Sequence, residues 1–208
     1  ACVGWQCEDA SMTTPASPLI QRARSVLQPL YEQPERAYHG LAHIHALLAH
    51  LQTHADLVQD PQAVALAIWF HDAVYDTTRH DNEVQSAALA ARHLHEWGCP
   101  ADQVEAVVSM VEATARHEWI DRNPDTAVFL DFDLSILASP PLVYDGYSLQ
   151  IQQEYGWVPP QVYQPARARV LQSFLDRPFV YFTPSLRSLW EAAARANVAR
   201  ELAALSSS

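Results

Sequence analysis

The chain contains no lysine: its 13 basic side chains are all arginines, set against 24 acidic ones, for a formal net charge of -11. Polymeric nucleic acid and anionic membrane surfaces are therefore disfavoured partners, because neither gains by releasing counterions to so acidic a protein. Small anionic substrates stay open, since a bound divalent cation reverses the local field. Cysteine is scarce too. Cys2, Cys7 and Cys99 lack the paired spacing of a zinc knot or a redox motif, which fits a reducing compartment and predicts a cytoplasmic protein. No apolar run approaches the roughly 18 to 20 residues that cross a bilayer, and the first residues lack the basic-then-apolar order of a signal peptide. With only 5 glycines and few alternating apolar segments bounded by turns, a β-rich fold is not expected.

What is present is helical periodicity through nearly every segment. It predicts an all-α fold with helices near 18–33, 41–54, 61–75, 82–97, 101–117, 127–138, 142–155, 160–176 and 185–205. Pro61 and Pro100 stand near helix starts, Asp60 suits an N-cap, and 121–125 and 139–141 read as loops. The 208 residues suffice for one domain with a full core. Residues 1–17, rich in Ser, Thr and Pro, read as a disordered leader or an expression remnant, and 18–208 as the single domain.

Residues 63–70, Ala-Val-Ala-Leu-Ala-Ile-Trp-Phe, are apolar nearly all round, as in a helix buried inside a bundle. His71 and Asp72 follow directly, two residue types that are costly to bury unpartnered. Taken with His43 upstream and the pair Asp131 and Asp133 downstream, they form a set of imidazole and carboxylate donors suited to Mn, Mg, Co, Ni, Fe or Zn, with the carboxylates favouring a harder ion such as Mn. His50, His54, His80, His93 and His95 read as solvated or structural.

The order of His43, then His71-Asp72, then a distant aspartate resembles the signature of the HD superfamily, and more closely its bacterial group of predicted phosphohydrolases. The matching stretches are Arg36-Ala-Tyr38-His39, Trp69 to Asp76, Asp81-Asn82-Glu83 with Ser86-Ala87, Phe129 to Leu137, Glu154-Tyr155, and Asn197 with Glu201. The resemblance implies an HD-domain-like helical bundle and a metal-dependent phosphohydrolase. In it His43, His71, Asp72 and either Asp133 or Asp131 hold a divalent ion, with Asp133 slightly favoured. Alarmone hydrolases of that superfamily carry Glu-Asp after the doublet where this chain has Tyr75-Asp76, which argues against that substrate.

Phosphoryl transfer needs an activated water and neutralised oxygens. Asp76, Glu83 and His39 are the candidates for moving a proton. An alternative for Asp81 to Glu83 is a helix start with Asp81 as its cap. Arg36, Arg79 and Arg167 are candidate phosphate forks, His117 is a candidate at the site's edge, and Tyr147 heads an aromatic run able to stack a base. A small phosphorylated substrate, a nucleotide or another phosphate ester or anhydride, is the expected partner, and homo-oligomerisation is left open. The rival reading is a catalytically inert sensor of the same fold that binds metal and nucleotide.

Overall fold

The computed structural model describes residues 17–206. Among them are nine α-helices and no β-strand: α1 Pro18–Tyr31, α2 Leu41–Thr53, α3 Pro61–Phe70, α4 Asn82–Glu96, α5 Ala101–Ala113, α6 Pro124–Asp133, α7 Pro141–Glu154, α8 Pro160–Leu175 and α9 Pro184–Leu205. Short 3-10 turns occupy Ala55–Leu57 and Leu134–Ala138. The expected leader lies outside the described residues except for Ser17, at the N-cap position of α1.

Proline, disfavoured inside helices, here mostly starts them, although Pro29 and Pro165 lie inside α1 and α8. Pro18, Pro61, Pro124, Pro141, Pro160 and Pro184 each stand in a first turn, where an amide hydrogen would have no intrahelical partner. Asp60 caps α3 by accepting from the amides of Gln62 and Ala63, both at 3.0 Å. Asn123 accepts from Asp125 N at 3.0 Å, so α6 begins at Pro124, ahead of the expected start at 127.

Two apolar clusters organise the chain. In the first, α3 is buried from Ala63 to Phe70 and packs against α1, α2, α5 and α6. The second joins Leu134 and Leu137 to Tyr144, Leu171, Tyr181 and Val198. Trp190 of α9 packs against both. The end of α6 therefore lies where one cluster gives way to the other. No single helix among the described residues is long and apolar enough to cross a membrane.

Helix α3 stops at Phe70 although its pattern predicts continuation to 75. Side chains take one of its last carbonyls and two in the turn just beyond it, in place of further helical amides. Tyr31 Oη donates to Trp69 O at 2.8 Å, and Arg36 Nη1 and Nη2 donate to Asp72 O at 2.6 Å and Ala73 O at 3.1 Å. Likewise α5 ends at Ala113 rather than 117, where Thr114 Oγ1 turns back to Val111 O at 2.7 Å.

Buried Asp125 accepts from Gln59 N and Asp60 N, both at 2.7 Å, tying α6 to the start of α3. Hydrogen bonds to a charged group contribute about 1.5–3 kcal/mol each. Asp125→Ala should lower the unfolding free energy by roughly 3–6 kcal/mol, read as a lower urea midpoint at unchanged slope; a midpoint equal to the parent's would show that these bonds stabilise nothing.

Candidate metal centre

Three helices deliver the donors. His43 projects from the first turn of α2, His71 and Asp72 from the turn that ends α3, and Asp133 from the last position of α6. His43 Nε2 and His71 Nε2 lie 3.2 Å apart. Asp133 Oδ1 is 3.1 Å from the first and 3.6 Å from the second. Asp72 Oδ2 is 3.0 Å from His71 Nε2 and 3.9 Å from His43 Nε2. Donors bound to one ion at about 2.0–2.2 Å must sit roughly 3.0–3.6 Å from their neighbours, close to the spacing found here.

The protonation pattern also fits a cation. His71 Nδ1 is 2.9 Å from Ile68 O, and a carbonyl only accepts, so Nδ1 carries the hydrogen and Nε2 of the neutral ring presents a lone pair. That lone pair faces two carboxylate oxygens and a second imidazole nitrogen, an arrangement that repels itself unless a proton or an ion sits within it. Without an ion, burial would depress His71, but Asp72 and Asp133 outweigh it and hold the ring well above its usual pKa. His43 is lowered, chiefly by burial. Burial opposes ionisation of Asp133, yet bonds from His117, His43 and His71 keep it far below the usual carboxylate range.

Asp131 is elsewhere. Residues two apart on a helix point about 200° apart, so Asp133 and Asp131 cannot serve one ion from α6. Fully buried Asp131 accepts from Phe182 N and Thr183 N, both at 2.7 Å, at the start of α9. Burial pushes its carboxyl up to about 6 against those two bonds.

A cavity of about 680 Å³ opens beside the centre, lined by Asp72, Asp133, His39, His117, Glu83, Arg79, Tyr147 and Arg167 among others. His43 and His71 are not part of that lining, and of the predicted catalytic and substrate-binding residues two are also absent from it. Asp76 is exposed and bonds Thr78 N and Oγ1 at 2.9 and 2.6 Å, an Asx turn that directs it away. Arg36 is buried, its guanidinium 5.1 Å from the Tyr31 ring and 5.4 Å from the Tyr75 ring, and it holds the doublet's carbonyls rather than a phosphate. Asp81 occupies the N-cap position of α4 without capping it, because Arg79 binds its carboxylate at 2.9 and 2.7 Å.

His117 has φ 48, a left-handed backbone that is strained outside glycine. Arg177 holds that conformation by donating to Arg116 O at 2.8 Å and His117 O at 2.9 Å, and the ring then reaches Asp133 Oδ2 at 2.9 Å. Glu154 was singled out in the sequence only as part of a matching stretch, yet it organises the other side. Its buried carboxylate accepts from Tyr38 N at 2.7 Å, His39 N at 2.9 Å and Tyr75 Oη at 2.7 Å, and meets His39 Nδ1 at 2.7 Å. Burial would lower the His39 pKa, but the Glu154 bond and the nearby carboxylates raise it above the usual value. No sequence signal marks Arg177; the matching stretch Glu154-Tyr155 at a predicted helix end is the only hint of Glu154.

If the centre binds an ion, Asp133→Asn should weaken Mn binding at least about 100-fold, whereas Asp131→Asn should keep it and instead lose about 1 kcal/mol of stability with a bond to the start of α9; calorimetric titration with Mn and thermal unfolding separate the two. Equal affinity in both variants would remove Asp133 from the ligand set. No protein-family model, curated protein or solved structure matches the chain, so its own geometry carries the functional argument.

Proposed function

We propose that the chain is a metal-dependent phosphohydrolase of HD type, acting on a nucleotide or another small phosphate ester or anhydride. The observation that carries this reading is the convergence of His43, His71 and Asp133, whose ligand atoms lie within 4.8 Å of one another, with Asp72 against His71 and a cavity alongside. These four residues would hold a divalent ion, Mn being favoured by the mixed imidazole and carboxylate set. When bound, such an ion supplies polarisation of a phosphoryl oxygen and activation of water at neutral pH.

The chain's own residues do the rest. With Nδ1 of His39 held by Glu154, its Nε2 is the ring atom left to give or take a proton in the cavity, and the Glu154 carboxylate stabilises the protonated ring. This favours His39 over Asp76, which does not line the cavity, while Glu83 lines it on the α4 side. His117 orients Asp133 through its second oxygen.

His71→Ala and Asp72→Ala should each abolish Mn retention and lower turnover at least about 1,000-fold with helix content unchanged, checked by elemental analysis, phosphate release and circular dichroism. Full turnover in either variant refutes the assignment. Nucleotide binding without turnover in Mn, Mg, Co or Ni would favour the inert sensor instead. Glu154→Gln removes the main partner that raises His39, so the protonated ring should be lost at lower pH and the alkaline limb of the pH–rate profile should move to lower pH. An unmoved limb would exclude His39 as the acid.

A further inference from the structure

The cavity beside the centre is unevenly charged. Two arginines line it, and each is already engaged by a carboxylate. Arg79 is exposed and lies against Asp81 in a two-bonded pair at 2.9 and 2.7 Å. Arg167 is buried, and its Nε and Nη2 bind Glu201 at 2.9 and 3.1 Å. Glu201 is itself held by the hydroxyls of Tyr144 and Ser148. Glu83 adds negative charge to the lining, and His80 beside Arg79 is exposed to water. A second phosphate placed away from the centre would find no uncompensated arginine there, and phosphate recognition depends on such forks.

The wall supplied by α7 and α8 is of a different kind. Tyr147, Tyr155, Tyr163, Ile151, Val170 and Phe174 line it, and the Tyr155 and Tyr163 rings lie 6.2 Å apart. Flat, weakly polar groups bind such surfaces by stacking. Arg167 sits in this wall with its guanidinium 5.3 Å from the Tyr147 ring, and Nη1, the nitrogen that Glu201 leaves unused, is 3.4 Å from Tyr147 Oη. Because Glu201 compensates its charge and fixes its plane, Arg167 suits a neutral acceptor such as a carbonyl or ring nitrogen better than an anion.

We propose that this cavity selects an ester carrying one phosphate and a planar, uncharged organic group, and that Arg167 and Tyr147 read a hydrogen-bond acceptor on that group. The inference rests on the phosphohydrolase reading. In the reaction, the water oxygen bonds to phosphorus, the phosphorus–oxygen bond to the organic group breaks, and the alcohol departs with a proton, leaving inorganic phosphate. The volume, about 680 Å³, lies in the range of small-molecule sites.

The probes are the four common nucleosides, their 5′-monophosphates and 5′-triphosphates, and glycerol 3-phosphate, used with the full chain. In Mn, at least one nucleoside monophosphate should show kcat/KM at least about 100-fold above its triphosphate and above glycerol 3-phosphate. Tyr147→Phe, and the paired change Arg167→Gln with Glu201→Gln that avoids stranding a buried charge, should each shrink those ratios about tenfold or more, mainly through KM. A preferred triphosphate, or glycerol 3-phosphate hydrolysed equally well, overturns the inference and leaves the phosphohydrolase reading standing. Failure to cleave any ester in Mn, Mg, Co or Ni overturns that parent reading. Calorimetry with the bare nucleosides then decides the inference alone: binding that weakens in both variants supports the pocket assignment, and no binding overturns it.

Discussion

Where the ends of α3 and α6 meet the start of α2, two imidazole nitrogens and two carboxylate groups each stand within 3.0–3.2 Å of at least one other, with their side chains largely buried. Like-natured lone pairs in a region of low dielectric repel, and the repulsion is relieved only by positive charge placed among them. Much of the surrounding structure keeps these groups from moving apart. Ile68 O fixes the plane of His71, Arg36 and Tyr31 hold the turn that carries the doublet, and His117 braces Asp133 from the far side. A side chain free to rotate would relax into water; these are not free.

The absence of lysine acquires a physical meaning in this setting. Several arginines serve backbone carbonyls at the ends of elements, where helices leave acceptors unsatisfied. Arg36 spans Asp72 and Ala73, Arg177 spans Arg116 and His117, Arg187 spans Tyr181 and Phe182, and Arg195 reaches Leu175, Arg177 and Pro178. A rigid planar fork can hold two carbonyls in fixed relation, which a single rotating ammonium does less well. The two arginines that line the cavity are paired with carboxylates instead, and that pairing is the basis for proposing a substrate with a single phosphate.

Much of the architecture was legible beforehand, because apolar spacing and helix-starting prolines are local signals. The continuous run from Ala63 to Phe70 could only be buried, and it is. Helix ends were less legible. The pattern carried α3 past Phe70, and no local feature shows that a guanidinium from residue 36 takes the carbonyls of residues 72 and 73. Arg36 and Asp76 were misplaced for related reasons: being near the doublet in sequence or in a matching stretch does not decide whether a side chain faces the cavity, the core or its own turn.

By itself the sequence determined the helical class and the positions of most helices, and it offered imidazole and carboxylate residues as candidate ligands, since all three follow from residue type and spacing along one chain. Only the tertiary structure placed Asp133 rather than Asp131 beside His43 and His71, joined His39 to Glu154, and set Arg177 beneath His117. Those pairings link residues up to 115 positions apart or depend on which helix face meets a neighbour, and neither is encoded in local periodicity.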